Sequence, residues 1–497
     1  MSAQSSLGDT TTRRYTLGKH ESRSVLGGRE KGEVGVLIAG VVLGVGAAAL
    51  GGGSVSSFAF LTLTVLIAVA VVFLPFRGRT LYRWLPVDAR FRRAQRRGTA
   101  RYVNQEREAG TALDGELIDI TPPSAVGRIK WISVPYQGER MAVCAQLDDG
   151  GLTAVLEVEG PGVGLYDGPE QQAAVERWGI VLRDLANADG FLSRISLLER
   201  TVPADPEAHA RYVAERGDPT CPSALIASYD ELQSRVSTVT EQHRNYIVLR
   251  MTGDRYLSKA IKLAGGGDPG LGAVMAREVD AVISRLEDAA FKVIGALSPA
   301  QLASLIASLY DPDHAIDDVE TMTPRSAWPR IAVSTREALV ANDEWHHATA
   351  WVKTWPMVAV GVNFLAPLLV QTPGVIRTVA VTEQLIPTDV AMSKALADLT
   401  HDQADASRAV KQGRINDPRR LHQSERVDQR ASDLASGAGG VRLVGYITVS
   451  ARGTEELEAV KRRIRTAAAQ SWLTLEWCDR EHDRAFVNTL PFARGLR

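Results

Sequence analysis

Two charge-free apolar runs near the N-terminus constrain this chain more than any other feature of it. The first is VGVLIAGVVLGVGAAAL, Val34 to Leu50, and the second is FAFLTLTVLIAVAVVFLPF, Phe58 to Phe76. Each is close to the ~20 residues that a helix needs to cross a bilayer core. Hydrocarbon offers a backbone no hydrogen-bond partner, so a run placed there must be helical. Between them stands GGGSVSS, small and polar, which reads as a tight turn. The pair predicts a transmembrane helical hairpin. Gly40 and Gly44 form one GxxxG, which suits close packing within the pair or against a partner.

Charge orients the hairpin. Arg13, Arg14, Lys19, Arg23, Arg29 and Lys31 precede the first run. Arg77, Arg79, Arg83, Arg90, Arg92, Arg93, Arg96, Arg97 and Arg101 follow the second, and the turn has no charge. Basic flanks stay cytoplasmic, so a plasma-membrane protein with two spans and both termini inside is expected. Arg77, Arg79, Tyr82, Arg83 and Trp84 fall where a membrane anchor belongs, aromatics at headgroup level and arginines against anionic lipid. A signal peptide cleaved at Ala47-Ala48-Ala49 is the other reading. The long leading segment, acidic as well as basic, argues against it.

A chain of 497 residues holds two or three domains. Net charge is −1, and nothing in the totals suggests direct nucleic-acid binding. Only 10 of the 57 basic residues are lysine, a bias expected from a GC-rich genome. Cys144, Cys221 and Cys478 are far apart with no CxxC spacing, which argues against a disulfide framework or a cysteine zinc site.

Beyond about Asn104 the pattern is α+β, and it runs twice. In the first series LTAVLEV is a strand, PEQQAAVERWGIVLRDLANA a helix with Val175, Trp178, Val181, Leu182 and Leu185 on one face, and FLSRISLLERTVP a strand. Two helices hinged at GDPTCP, the strand YIVLRM, a glycine-rich loop and a helix from Leu271 follow. In the second, HATAWVKTW is a strand, NFLAPLLVQ helical and GVIRTVAVTEQLIP a strand. Two polar helices turning at Asn416–Pro418, the strand VRLVGYITVS, a helix N-capped by Thr454 and the strand WLTLEW complete it. Gly190–Asp205 resembles Gly374–Asp389, Asp218-Pro219 matches Asp417-Pro418, and Tyr246-Ile247 matches Tyr446-Ile447. These offsets are too long for a solenoid and indicate a domain-scale duplication.

The order predicts two ferredoxin-like α+β units, each with a helical hairpin inserted between its second and third strands. The expected divisions are a flexible cytoplasmic tail (1–33), the two spans (34–50 and 58–76) and a basic juxtamembrane segment and linker (77–140). A first unit (141–310), a surface linker (311–335) and a second unit (336–497) follow.

Candidate chemistry is sparse. No GxxxxGK[ST] loop, GxSxG elbow or HExxH occurs. GGGDPGLG, Gly265–Gly272, opens a helix but lacks the Lys-Ser/Thr that would meet a terminal phosphate and a metal. His346 and His347 are adjacent on a strand and so point to opposite faces. Cys478 and His482 have helical spacing, with Glu481 beside them, but no wider ligand cluster. No catalytic residue, cofactor or metal is expected, and a non-enzyme is the reading. The arginine-rich helical pair Asp389–Ser436 is a solvated or docking arm, its acids arguing against DNA.

Several stretches carry a resemblance. The tandem spans followed by RGRTLYRWLP resemble the PrgI-like membrane subunits of conjugation machines. GLYDGPEQQAAVERWGIVLRDLA, RISLLERTVP, HHATAWVKTWP and DRAFVNTLPFARG are similar to the non-motor N-terminal domain of VirB-type conjugation ATPases. The combination resembles a family of actinobacterial integral membrane proteins. It implies a structural subunit of a type IV secretion-like complex, with other secretion subunits and a separate hexameric ATPase as partners, and homo-oligomers allowed. An EccE-like component of a type VII secretion complex is the alternative.

Overall fold

The computed structural model describes residues 31–50, 52, 54–76, 79–104, 122–160, 167–203, 213, 216, 218, 220–237, 241–356, 360–397, 400 and 440–496. The N-terminal tail, most of the second helical insert and Arg77 lie outside the described residues.

Helices α1 (Lys31–Leu50) and α2 (Val55–Phe73) are both long and apolar enough to cross a membrane. α2 begins and ends three residues before its sequence boundaries. Ser54 caps it by accepting the Ser57 N–H, and Pro75 pushes Leu74 into extended backbone. The two helices meet at the small residues. A Cβ on Gly40 would lie 2.5 Å from the Ala68 Cβ, and one on Gly44 would strike Leu61 and sit 2.7 Å from Thr64 Oγ1. Ile38, Val42, Leu43, Leu63, Leu66 and Ile67 point outward and are exposed.

A two-strand ribbon, β1 (Pro75–Phe76) and β2 (Arg79–Thr80), turns the chain back. α3 (Leu81–Arg96) then starts beside the end of α2, where the Leu81 N–H donates to the Leu74 carbonyl. β3 (Arg101–Val103) enters the body as an edge strand of one sheet.

The remaining strands are β4 (Ile129–Tyr136), β5 (Glu139–Gln146), β6 (Gly151–Glu159), β7 (Leu192–Pro203), β8 (Glu241–Met251), β9 (Lys292–Ala296), β10 (Ile331–Ser334), β11 (Leu339–Ala341), β12 (Trp345–Thr354), β13 (Ile376–Ile386), β14 (Gly440–Arg452) and β15 (Thr474–Trp477). Their order is β3-β10-β11-β12-β14-β13-β7-β8-β6-β5-β4, with β15 also on β12 and β9 also on β6. The two halves repeat one arrangement. The first is β9-β6-β8-β7, the second β15-β12-β14-β13, and their neighbouring strands are antiparallel.

The halves join through β7 and β13, and the register there follows the internal sequence match. Leu197 pairs with Val381, 184 residues further on, which is also the separation of Gly190 from Gly374. Each seam strand thus meets its own counterpart about a local twofold.

Alternation along the strands sorts side chains to two faces. One face carries the helices. α4 (Gly168–Asn187), capped by Asp167, buries Val181, Leu182 and Leu185. α5 (Ser223–Ser237) belongs to the first insert and leaves Leu225, Tyr229 and Leu232 exposed. α6 (Arg255–Leu263) and α7 (Gly267–Asp288) complete the first cluster, and α9 (Gly453–Gln470) covers the second. The other face is sealed by α8 (Pro299–Tyr310), Trp328 and the C-terminal strap that starts at α10 (His482–Phe486).

The strap crosses both halves. Thr489 bonds Thr448 at 2.8 Å in the second. The Phe492 carbonyl accepts from Arg250 Nη1 at 2.9 Å and from Gln146 Nε2 at 3.3 Å in the first. Burial lowers the Arg250 pKa to about 10.

Several expectations differ from this fold. The surface linker expected at 311–335 instead seals the second face, with Trp328 1% exposed, and its end is β10. Residues 129–146, placed across a linker boundary, form the hairpin β4–β5 that extends the sheet. NFLAPLLVQ is helical as expected, in two short pieces, a 3-10 turn, Val362–Leu365, and a four-residue helix, Ala366–Leu369, that stops before Pro373. Thr454 is inside α9 rather than its cap; the Glu456 carboxylate accepts the Arg452 N–H instead.

Candidate functional site: the joint between anchor and body

In α3, Trp84, Val87, Asp88 and Phe91 recur at helical spacing and form the stripe that faces the body. Trp84 is 6% exposed. Arg480, in the turn after β15, reaches over this stripe. Its guanidinium lies 4.5 Å from the Trp84 ring centroid and 5.8 Å from that of Phe91, and it pairs with Asp88. Desolvated stacking of this kind is worth about 2 kcal/mol. Asp88 also holds Arg92 at 2.9 Å. Arg480 sits at φ +64°, a left-handed conformation that a non-glycine residue adopts at a cost, and its N–H donates to the Arg336 carbonyl.

Arg79 makes the second contact. Its Nε is 2.6 Å from Glu476, its Nη1 is 2.6 Å from Glu481, and Nη2 donates to the Trp477 carbonyl at 3.4 Å. Burial works against the charge, but Glu481 and then Glu476 outweigh it and hold the Arg79 pKa above its ordinary value. Cys478 lies between these acids in sequence, buried, and burial with Glu481 pushes its thiol up to about 12. A protonated, covered thiol is inert.

The third contact is to the anchor. Glu33, in the first turn of α1, is 3% exposed. It accepts from Thr80 Oγ1 at 3.4 Å and lies 3.9 Å from Arg83 Nε. Tyr82 covers Gly32, where a Cβ would meet its hydroxyl.

The structure therefore brings Arg79, Tyr82, Arg83 and Trp84 together. Their use differs from the headgroup contacts that the sequence suggests. Arg79 and Trp84 face the body, because Glu476, Glu481 and Arg480 offer closer partners than lipid. Arg83 and Tyr82 lean on the first turn of α1. Sequence reasoning missed Glu33, Asp88 and Arg480, and read Glu481 as part of a possible ligand group.

The other candidates are structural. His347 is fully buried: Ser450 Oγ donates to its Nδ1 at 2.8 Å and its Nε2 donates to the Tyr310 carbonyl at 2.9 Å. Burial lowers its pKa to about 3. Cys478 and His482 do not share a helix, since α10 begins at His482, whose Nδ1 accepts the Thr349 N–H at 3.1 Å. The glycine run at 265–272 serves packing. A Cβ on Gly270 would strike the Ile261 carbonyl, and one on Gly272 would lie 2.6 Å from Val134. Among the described residues no group of three His, Cys, Asp or Glu could hold a metal.

The chain matches no protein-family model and no curated protein.

Proposed function

We propose that this chain is a membrane-anchored structural subunit of a type IV secretion-like, conjugation-type translocation complex, on which a separate hexameric motor ATPase docks. The observation that carries the reading is the joint. Two apolar helices are tied through Arg79, Trp84 and Arg480 to a large sheet, so that the position of the body follows that of the anchor. In this reading both helices span the plasma membrane and both termini are cytoplasmic, in line with the basic flanks.

The body is two ferredoxin-like units with helical inserts. Supporting this are the common orders β9-β6-β8-β7 and β15-β12-β14-β13 and the self-matching register at the seam. The exposed apolar residues of α5, Leu225, Tyr229 and Leu232, give the first insert a surface for other subunits. Groups with chemical potential, among them His347, His482 and Cys478, are committed to internal packing.

The test is gentle extraction from membranes and mass spectrometry of what leaves with the chain. A conjugation-type ATPase in stoichiometric amount is the expected result. A solitary chain in native membranes, or solubility without detergent, would sink the reading, and a tandem FtsK-type ATPase would move it to an EccE-like role.

A further inference from the structure

We infer that α3 is a two-sided plate whose outward face binds the anionic headgroups of the leaflet that the hairpin enters; this rests on the two-span reading. At 100° per residue the body-facing residues Trp84, Val87, Asp88 and Phe91 occupy one side. Arg90, Arg92, Arg93, Arg96 and Arg97 fall on the other, within an arc of roughly 160° that also holds Leu85 and Ala89. All of these are exposed. The outward arc contains no acid, because Asp88, the one acid of α3, is turned to the body and paired with Arg480 and Arg92.

Position selects the occupant. α3 starts where α2 ends, with Leu81 bonded to Leu74, so the plate leaves from the level at which the apolar helix stops. Leu85, 54% exposed on the first turns, supplies an apolar foot at that level. Guanidinium groups beside a bilayer surface meet phosphate diesters in the geometry they pair with best. Arg79 and Arg83 are excluded from this duty, since acids of the body and of α1 hold them, and Arg92, at the edge of the arc, is held by Asp88; the duty falls to Arg90, Arg93, Arg96 and Arg97. The division explains why the arginine series is so long: its first members bind protein and its later ones lipid.

The experiment uses the full chain in lipid nanodiscs, with Cys221→Ser and a fluorophore on Ala89→Cys. Discs contain phosphatidylcholine alone or mixed with phosphatidylglycerol, each doped with a headgroup-nitroxide quencher. Stronger quenching in the anionic discs, abolished by high salt, is expected. In the Arg90→Gln, Arg93→Gln, Arg96→Gln, Arg97→Gln combination the anionic enhancement falls at least about fivefold, since each arginine at such a surface carries about that preference. Buried Cys144 and Cys478 should stay shielded from maleimide in that variant, showing that the body is folded. Equal quenching in both lipids overturns the inference. Equal quenching together with saturable binding of polyglutamate that the four-arginine variant loses overturns it too, and would give the face to an acidic protein. Resistance of the sample to alkaline carbonate separates the readings: an inserted chain with a lipid-blind α3 sinks this inference alone, and an extracted chain sinks the two-span reading with it.

Discussion

Glu383 sits mid-strand in β13 with no partner for Oε2, and burial raises its pKa to about 7 from an ordinary 4.5. Folding therefore favours its protonated form. Its contribution to stability is complete below about pH 4.5 and is lost as pH rises through about 7. Glu383→Gln keeps the shape without the charge. It should match the parent chain near pH 4.5 and exceed it by up to ~3 kcal/mol above pH 7, read by denaturant unfolding at both pH values. Arg79 has the opposite character, a charge that its neighbours require. Arg79→Ala takes the Arg79 guanidinium from Glu481 and leaves Glu476 to Lys353, 2.6 Å away, at a cost of about 3 kcal/mol. It should also open Cys478 to maleimide while Cys144, deep in the sheet, stays protected.

Helices and strands differ in how plainly the sequence announces them. β13 and β14 are long β-branched runs, and GVIRTVAVTEQLIP has no competing period, so both were legible. NFLAPLLV was legible as helical, but a run so short gave no sign of its division into a 3-10 turn and one α-helical turn. The hairpin was legible in length, while its exact ends were set by Ser54 and Pro75. The joint was hidden, because Arg79 and Arg480 are some 400 residues from the partners they need, and a local pattern shows only a row of arginines. For the hairpin the sharp expectation is steric. Gly44→Leu drives a side chain into Leu61 and Thr64, costing ~1–3 kcal/mol and lowering the melting temperature in detergent. Val42→Leu, on the exposed side, should leave it unchanged.

Across the whole molecule the strap does what no single half can. Phe492 is fully buried while its carbonyl takes hydrogen bonds from the first half, and Thr489 bonds the second. Phe492→Ala should cost about 3–5 kcal/mol and loosen both halves together, visible as one shifted unfolding transition rather than two. The seam has a different reach. The first insert leaves after Pro203 and returns at Glu241, and the second leaves after Ile386 and returns at Gly440. Because β7 and β13 run in opposite directions, these exits lie at opposite ends of β7, roughly 36 Å apart at the usual rise per residue. A small neighbour can grasp one exit only. The two exits therefore stand inverted relative to each other, one at each end of the seam, across the internal axis of the molecule.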